Sequence, residues 1–353
     1  MPGIPPPYPT STMPDAPRRT AAITAVGSYL PPDRLTNADL ERLVDTTDEW
    51  IVSRTGVRER RILRDPTKAT AFMATEAARQ CLDRAGVAPE DVDCILVATV
   101  TPDMVFPATA CLIQHALGAT KAWGYDVSAA CSGFLFTLTT GAKLIESGMH
   151  ERVLVIGADT MSRIIDYTDR STCVIFGDGA GAVLLEAVQD GTGLLDSVQH
   201  VDGSNAGALN MPAGGSLHPA IRETVDARMH FLKQDGATVF KRAVVGMAEA
   251  AAEVMERNGL TGADVDWLVP HQANLRIIDA TARRMGLPPE RVMMNIEYYG
   301  NTTAGTLPLC LADYEPRLRR GDTLVLAAFG GGFTWGATLL KWAYDGKGER
   351  EKA

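Results

Sequence analysis

The order of apolar and polar positions predicts a chain of alternating strands and helices. Residues 20–30 are mostly apolar and end at a Pro-Pro pair, which indicates a buried strand followed by a turn. We expect Asn37 to cap the next helix, in which leucines recur at helical spacing. Residues 152–157 form another short apolar run, of the kind found in buried strands. This alternation is typical of an α/β protein.

An internal repeat indicates how these elements are organised. The helix, glycine turn and strand of residues 76–96 recur in residues 249–269, with every position shifted along the chain by the same amount. In both copies an Asp-Val-Asp sequence follows the glycine at the same spacing. We therefore expect two similar α/β halves, each consisting of a sheet covered by helices.

The repeat divides the chain into four predicted segments. Residues 1–18 contain seven prolines and no apolar periodicity, so we expect a disordered leader. Residues 19–190 are expected to form the first half and residues 241–353 the second half. Residues 191–240 would connect the halves and shape the entrance to a substrate site, as long insertions often do.

Composition argues against several classes of function. No apolar run reaches the roughly 20 residues of a membrane helix and the start does not resemble a signal peptide, so we expect a cytoplasmic protein. A net charge of −9 argues against non-specific binding of nucleic acid. The six cysteines are widely spaced without a C-x-x-C pair, which predicts neither a disulfide framework nor a metal site.

One cysteine lies where a nucleophile is expected. Residues 124–134 have the pattern of a strand end, a turn of small residues and a helix start, with Cys131 in the turn. The positive end of the helix dipole favours a thiolate, so we expect the pKa of Cys131 to lie below its usual value of about 8.5. Ser132 and Gly133 leave room beside the sulfur for a substrate carbonyl.

The repeat also indicates two partners for Cys131. The shift between the copies relates Ala98, at a predicted strand end, to His271, and the second-half counterpart of the cysteine turn contains Asn301. In such sheets, active sites gather at the carboxyl ends of strands. A thiol can accept an acyl group, while an imidazole and an amide can donate hydrogen bonds to an enolate oxygen.

Six motifs, in this order along the chain, resemble those of β-ketoacyl-acyl carrier protein synthase III, a condensing enzyme of the thiolase-like superfamily. They are Asp48-Glu-Trp-Ile-Val-Ser-Arg-Thr-Gly-Val-Arg58, Ala129-Ala-Cys-Ser-Gly133, Phe176-Gly-Asp-Gly-Ala-Gly181, Pro270-His-Gln-Ala-Asn274, Tyr299-Gly-Asn301 and Phe329-Gly-Gly-Gly-Phe-Thr-Trp335. The resemblance covers about Ala21 to Tyr344. It implies a thiolase-like fold, in which duplicated α/β halves form a five-layered α-β-α-β-α sandwich.

The resemblance implies a decarboxylative Claisen condensation that initiates fatty-acid synthesis. Cys131 would attack an acyl-CoA primer, expected to be acetyl-CoA, while the backbone N–H groups of Cys131 and Gly331 form the oxyanion hole. His271 and Asn301 would then hydrogen-bond the thioester carbonyl of malonyl-acyl carrier protein as CO2 leaves. The product would be 3-oxoacyl-acyl carrier protein, and neither a metal nor another cofactor is implied.

The resemblance also assigns the substrate contacts. The CoA adenine would lie between Trp50 and Arg170, although ordinary core packing is the alternative role for Trp50. Arg54 and Thr46 would lie near the phosphates, and Asn274 would line the pantetheine channel. A basic surface of Lys241, Arg276, Arg283 and Arg284 would dock the acidic carrier protein. Phe106 would reach across a homodimer to close the partner's acyl pocket.

Two other functions stay open at this point. One is a related acyltransferase or condensing enzyme that primes a secondary-metabolite pathway. The other is a catalytically silent subunit that binds acyl carrier protein, which the intact set of Cys131, His271 and Asn301 argues against. Thiolases and elongating ketosynthases use a Cys with two His or a Cys-His-Cys set, so Asn301 argues against both.

Overall fold

The computed structural model describes residues 19–346, so the predicted leader at residues 1–18 lies outside the described residues. The first half contains β1 (Thr20–Tyr29), β2 (Arg34–Thr36), α1 (Asn37–Glu41), α2 (Asp48–Thr55), β3 (Glu59–Arg61), α3 (Thr70–Ala85), β4 (Cys94–Ala98), α4 (Thr109–Leu117), β5 (Trp123–Val127), α5 (Gly133–Glu146), β6 (Arg152–Thr160), α6 (Arg170–Cys173) and β7 (Asp178–Val188). The remainder contains β8 (Gly193–Val201), β9 (Leu209–Asn210), α7 (Arg222–Asp226), β10 (Lys233–Gln234), α8 (Gly236–Arg257), β11 (Trp267–Pro270), α9 (Leu275–Met285), α10 (Ile296–Tyr299), α11 (Thr306–Tyr314), β12 (Thr323–Gly330) and β13 (Thr334–Lys341).

Two sheets of the same topology form the framework. The first has the strand order β1-β7-β6-β4-β5, with β4 parallel to β5 and β6, and β7 antiparallel to β1 and β6. The second has the order β11-β12-β13-β8, in which β11 and β12 are parallel and the other neighbours antiparallel. A parallel bridge from Leu268 to Val292 takes the place that β5 has in the first sheet.

The predicted duplication is confirmed at the level of single residues. β4 begins at Cys94 and β11 at Trp267, and the shift between these two positions is the one that relates residues 76 and 249. Ala130 and Thr303, which the same shift relates, both have a positive φ, of 46° and 53° respectively. Because non-glycine residues seldom adopt this conformation, the two helix-entry turns share an unusual backbone geometry as well as a sequence position.

The core residues show the five predicted layers. One buried cluster joins α5 and α11 to strands of both sheets, so these two helices form the central layer. A second cluster packs α3 and α4 on the first sheet, and a third packs α8 and α9 on the second. The α-β-α-β-α sandwich is thus confirmed, and it places the starts of α5 and α11 between the sheets.

Two details differ from the sequence-based expectations. Thr36, not Asn37, caps α1, because its hydroxyl accepts the N–H of Asp39 and the Asp39 carboxylate accepts the N–H of Thr36. Asn37 is buried instead, and its amide donates to Asp48. Residues 191–240 also do more than connect the halves, since β8 pairs with β13 as β1 pairs with β7.

Candidate active site

A cavity of about 410 Å³ brings the predicted nucleophile and its partners together. Cys131, His271 and Asn301 all line it and are all buried. Other lining residues of the same cavity are Trp50, Arg54, Leu209, Gln234, Asn274, Arg276, Phe329 and Gly330. The cavity therefore connects the exposed Arg276 and Arg54 side chains with the buried sulfur.

Cys131 is held in a short 3-10 turn, Ala130–Ser132, that leads directly into α5. Hydrogen bonds tie this turn to the second sheet. The Ser132 hydroxyl donates to the carbonyl of Thr334 at 2.9 Å, and the Thr334 hydroxyl donates to the carbonyl of Ala129 at 2.9 Å. The turn that contains Cys131 is thus held by Thr334, a residue of the second half.

The pKa of Cys131 is raised, whereas the sequence predicts a lowered value. Burial raises the pKa of the thiol to about 12, and the nearby Asp159 carboxylate adds to this effect. Hydrogen bonds from the Cys131 backbone and the Asn301 side chain oppose it and favour the thiolate. The prediction of a lowered pKa is wrong because loss of water around the sulfur outweighs the field of the helix. The resting cysteine is a thiol.

Asp159 is a buried carboxylate that the sequence analysis missed. Its Oδ1 accepts hydrogen bonds from the Thr99 hydroxyl and from the N–H groups of Val100 and Thr101, at 2.8–3.1 Å. Its Oδ2 accepts the N–H of Ala304 at 3.1 Å. Burial raises the pKa of Asp159 to about 6, although these donors favour the carboxylate. No sequence pattern indicates this residue, because its donors come from both halves.

Comparison of the halves explains the open backbone N–H beside the sulfur. By strand pairing, Asp159 of β6 corresponds to Gly330 of β12. In the second half the Asp159 carboxylate covers the N–H of Ala304, the counterpart of Cys131. In the first half a Cβ at position 330 would lie 2.6 Å from the Cys131 nitrogen, so glycine leaves that N–H accessible. A side chain at position 330 would crowd the backbone nitrogens of Cys131 and Ser132.

His271 directly follows β11, and a buried glutamine fixes its surroundings. Gln272 accepts hydrogen bonds from the N–H groups of Asn295 and Ile296 and donates to the carbonyls of Pro270 and Met293. Nδ1 of His271 lies 2.7 Å from the hydroxyl of Thr306, at the start of α11. Burial lowers the pKa of His271 to about 3, so the ring is neutral at ordinary pH.

Asn301 has a fixed amide orientation. Its Oδ1 accepts the N–H of Thr303 at 2.8 Å, which leaves the Nδ2 group to act as a donor. Its backbone is clamped by the glycine loop of the first half: its N–H donates to Ile175, and its carbonyl accepts the N–H of Gly177. The structure therefore supplies an amide donor beside the thiol of Cys131.

The predicted CoA contacts lie in part at the cavity. Trp50 and Arg54 line it, and the guanidinium of Arg170 lies 4.8 Å from the centre of the Trp50 ring. Trp50 is half-buried, and it both packs against a buried hydrophobic cluster and lines the cavity. The Thr46 hydroxyl is buried and has no hydrogen-bond partner among residues 19–346. Asn274 caps α9 by accepting the N–H of Arg276 and donates to the carbonyl of Arg54 at 2.8 Å.

The predicted docking residues are all exposed and lie on α8 and α9. Arg276 lies at the cavity, with its guanidinium 4.8 Å from the centre of the Phe240 ring. Arg284 is the most neutralised of the set, because it pairs with Glu249 and Glu256 at 3.3 and 3.5 Å. Within residues 19–346, Arg283 and Lys241 have no ion-pair partner. Of the four residues, only Arg276 lines the cavity.

Phe106 is not brought to the cavity of its own chain. It is 83% exposed, beside Val105 at 85%, on the loop between β4 and α4. Met104, Trp123 and Tyr125 are further exposed apolar side chains near this edge of the first sheet. Exposed apolar side chains that lie close together are typical of interaction surfaces.

Neither a metal centre nor a membrane segment emerges from the described residues. Between residues 19 and 346, no group of three or more His, Cys, Asp or Glu side chains could hold a metal ion. No helix in the same range is both long and apolar enough to cross a membrane.

Comparisons with known proteins agree with this geometry. Residues 125–203 match the family model of 3-oxoacyl-[acyl-carrier-protein (ACP)] synthase III, and residues 255–342 match the model of its C-terminal part. The chain is 58% identical over 326 residues to a beta-ketoacyl-[acyl-carrier-protein] synthase III of Chlorobaculum tepidum, covering 91% of this chain and 99% of that relative.

Solved structures are similar over the same length. The crystal structure of 3-oxoacyl-[acyl-carrier-protein] synthase III from Aquifex aeolicus VF5 has a TM-score of 0.84 and 42% identity, covering 91% of this chain and 100% of that one. The priming beta-ketosynthase from the R1128 polyketide biosynthetic pathway has a TM-score of 0.85 and 35% identity, covering 95% of this chain and 99% of that one.

Proposed function

The chain belongs to the 3-oxoacyl-[acyl-carrier-protein] synthase III family, and from that premise we propose how its residues perform the reaction. The enzyme is an acyltransferase that condenses an acyl-CoA with malonyl-acyl carrier protein and thereby initiates fatty-acid synthesis. The main support for this assignment of residues is that Cys131, His271 and Asn301 line the same cavity.

In the first half-reaction, the sulfur of Cys131 attacks the thioester carbonyl of the acyl-CoA. The oxyanion is held by the N–H groups of Cys131 and Gly331. In support, the neighbouring Gly330 lines the cavity, and a Cβ there would lie 2.6 Å from the Cys131 nitrogen. The C–S bond to CoA then breaks, and the thiol proton of Cys131 ends on the departing CoA sulfur. The products are an acyl-Cys131 thioester and free CoA.

In the second half-reaction, malonyl-acyl carrier protein enters and loses CO2. His271 and Asn301 donate hydrogen bonds to its thioester oxygen, which stabilises the enolate that remains. The enolate carbon attacks the acyl-Cys131 carbonyl, and the Cys131 sulfur leaves to give 3-oxoacyl-acyl carrier protein. The cysteine then takes a proton from solvent. Both thioesters supply their own reactive groups, so we propose that no further cofactor takes part.

The nucleotide part of CoA binds at Trp50 and Arg170. Their cation–π contact at 4.8 Å supports a pair that opens to hold the adenine between an aromatic ring and a planar cation. Arg54 and the unpaired hydroxyl of Thr46 are suited to the phosphates, and Asn274 is suited to the pantetheine arm. We propose acetyl-CoA as the primer, as the resemblance to the family implies.

Intact-protein mass spectrometry with a panel of acyl-CoAs tests the first half-reaction and the primer. Wild type is expected to gain one acyl group, most completely from acetyl-CoA, and Cys131→Ser is expected to gain none. A preference for branched or longer chains would overturn acetyl-CoA as the primer. If no acyl-CoA labelled the wild type, the proposed role of Cys131 would have to be withdrawn.

We also propose a homodimer and a carrier-protein surface. The exposed apolar side chains of Phe106 and its neighbours support burial against a second copy, and the exposed cations of α8 and α9, with Arg276 at the cavity, support docking of an acidic carrier protein. A sedimentation experiment should give about twice the chain mass of 37.8 kDa. A species of 37.8 kDa at micromolar concentration would contradict the dimer.

The second candidate is a condensing enzyme that primes a secondary-metabolite pathway. The similarity to the priming ketosynthase of the R1128 pathway, at 35% identity, is the observation in its favour. The higher identity to a synthase III, 58%, favours fatty-acid synthesis. Comparing turnover with a fatty-acid and a polyketide carrier protein distinguishes the two pathways.

A further inference from the structure

The hydroxyl of Thr306 contacts the ring of His271 on the side away from the cavity. Both residues are buried, and Thr306 Oγ1 lies 2.7 Å from Nδ1 of His271. The same oxygen lies 3.1 Å from the backbone carbonyl of Thr303. The ring of His271 lines the cavity, and its Nδ1 contacts Thr306 of α11. Nε2 is therefore the ring nitrogen that can face the cavity.

A threonine hydroxyl has one proton, so it can donate to only one of these acceptors. If it donates to the Thr303 carbonyl, Nδ1 of the neutral ring must carry the proton and Nε2 is an acceptor. If it donates to Nδ1, the ring proton is on Nε2, which becomes a donor. The arrangement of one hydroxyl therefore decides what His271 offers to a substrate.

Two observations favour donation to Nδ1. The hydroxyl oxygen lies 3.1 Å from the Thr303 carbonyl oxygen, which is longer than the usual O–H···O range of about 2.5–3.0 Å, whereas it lies 2.7 Å from Nδ1. The Thr303 carbonyl already accepts the backbone N–H of Thr306, so it does not require the hydroxyl.

We propose that Thr306 donates its hydroxyl proton to Nδ1 of His271 and so holds the ring as the Nε2–H tautomer, which makes Thr306 a positioning residue. This inference rests on the proposed function, in which Nε2 must donate to the enolate oxygen. The burial that keeps His271 neutral makes the choice of tautomer decisive, because a neutral ring has only one N–H.

Nitrogen NMR on ¹⁵N-histidine-labelled protein reads the tautomer without any assay of activity. The signals of His271 are identified by their loss in His271→Ala. At pH 7 we expect a protonated Nε2 and an unprotonated Nδ1 in wild type and in Thr306→Ser, and a changed Nδ1 shift in Thr306→Val. A wild-type ring protonated at Nδ1, or at both nitrogens, would overturn the proposal.

The two half-reactions provide the kinetic test. Thr306→Val should slow decarboxylation of malonyl-acyl carrier protein about tenfold, the effect of losing one buried hydrogen bond, without changing KM. Acylation of Cys131 should be unaffected, and Thr306→Ser should restore most of the rate. Thr281→Val is the matched control, because its hydroxyl is buried and bonds only to the carbonyl of Ile277 in α9.

The possible outcomes distinguish the role of Thr306 from the proposed function of the enzyme. An unchanged decarboxylation rate in Thr306→Val, or a Thr306→Ser variant as slow as Thr306→Val, would overturn the role of Thr306. An equal loss in Thr281→Val would overturn it too, because the effect would then be general to buried hydroxyls. If wild type failed to decarboxylate malonyl-acyl carrier protein, the proposed function would fail, while the tautomer could still be read by NMR.

Discussion

At the scale of single residues, burial and a neighbouring carboxylate act on Cys131 in the same direction. Burial alone disfavours the thiolate, and Asp159 adds a negative charge to the same region. Cys131, the proposed nucleophile, is therefore a thiol at rest, and a hydrogen bond from the amide of Asn301 acts in the opposite direction and favours the thiolate. A thiol that is unreactive at rest is also protected against oxidation, since oxidants attack the thiolate.

Replacement of Asp159 by Asn should make Cys131 more reactive. The variant removes the charge that raises the pKa of the thiol, so alkylation by iodoacetamide at pH 8 should be several-fold faster. The pKa of Asp159 is about 6, so the carboxylate loses its charge as pH falls through this value. Wild type and variant should therefore converge below pH 6.

Mass spectrometry of the alkylated protein over pH 5–9 measures this effect. An acceleration that persisted at pH 5 would indicate a looser structure and not an electrostatic cause. Equal rates at pH 8 would contradict the proposed influence of Asp159. The Asn amide would also face the N–H of Ala304, so a loss of stability of about 1–3 kcal/mol is expected beside the kinetic effect.

The sequence was sufficient to predict Cys131, His271 and Asn301 as a group, because the repeat relates His271 to a strand end of the first half and places Asn301 in the turn equivalent to that of Cys131. It was not sufficient to predict the environment of each. Asp159 and Thr306 act through hydrogen bonds between residues far apart in the chain, and a sequence carries no direct signal for such contacts. The prediction of a lowered pKa for Cys131 was wrong for the same reason, since burial of the sulfur depends on the whole fold.

At the scale of elements, close packing of α11 on β7 positions the turn that carries Asn301. A Cβ at Gly181 of β7 would lie 2.6 Å from the Cβ and 2.8 Å from the backbone carbonyl carbon of Pro308 in α11. Any side chain there must push the helix away from the strand. Because Thr306 begins α11 and Asn301 lies in the turn that precedes it, such a shift would also move these two residues of the site.

Gly181→Ala should therefore reduce both stability and activity. Overpacking of this kind costs about 1–3 kcal/mol, and a denaturant titration measures the loss in the free energy of unfolding. Decarboxylation should slow more than acylation of Cys131, because α11 carries Thr306, while Cys131 belongs to the turn before α5.

Gly215→Ala is the matched control for this variant. A Cβ at Gly215 meets no atom within 4 Å, so neither stability nor rate should change. If Gly181→Ala unfolded at the same denaturant concentration as wild type, the account of this helix–strand contact would be wrong.

Sequence patterns predicted most helices and strands, but they misassigned the N-terminal cap of α1 and did not assign β8 to a sheet. The strand and helix copies were found because their apolar positions repeat, and β4 and β11 begin at equivalent residues of the two copies. The cap of α1 was misassigned because Thr36 and Asn37 are both good capping residues, and only the burial of Asn37 distinguishes them. The assignment of β8 depends on pairing with β13, which is distant in sequence.

At the scale of the whole molecule, charge is unevenly distributed. The chain has a net charge of −9, yet α8 and α9 carry the exposed cations Lys241, Arg276 and Arg283, of which Arg276 lines the cavity. An acidic carrier protein would be repelled by the molecule as a whole and attracted to this surface, which favours a single docking orientation.

Arg276→Glu should raise the KM for malonyl-acyl carrier protein about tenfold at low salt, with a smaller effect at high salt, because exposed charges are screened. Steady-state kinetics at two ionic strengths provides the measurement. Arg79→Glu on α3, in the outer layer of the other half, is the matched control and should leave KM unchanged. An unchanged KM in Arg276→Glu would show that the carrier protein docks elsewhere.

The central claim is that acyl-Cys131 is the intermediate on which the second half-reaction acts. The most direct measurement is a single turnover: protein acylated by acetyl-CoA is freed of CoA and mixed with malonyl-acyl carrier protein. We expect the acyl group to leave Cys131 at the rate at which 3-oxoacyl-acyl carrier protein appears, with one CO2 per product. Product formation while the acyl group stays on Cys131, or loss of the acyl group without product, would contradict the account.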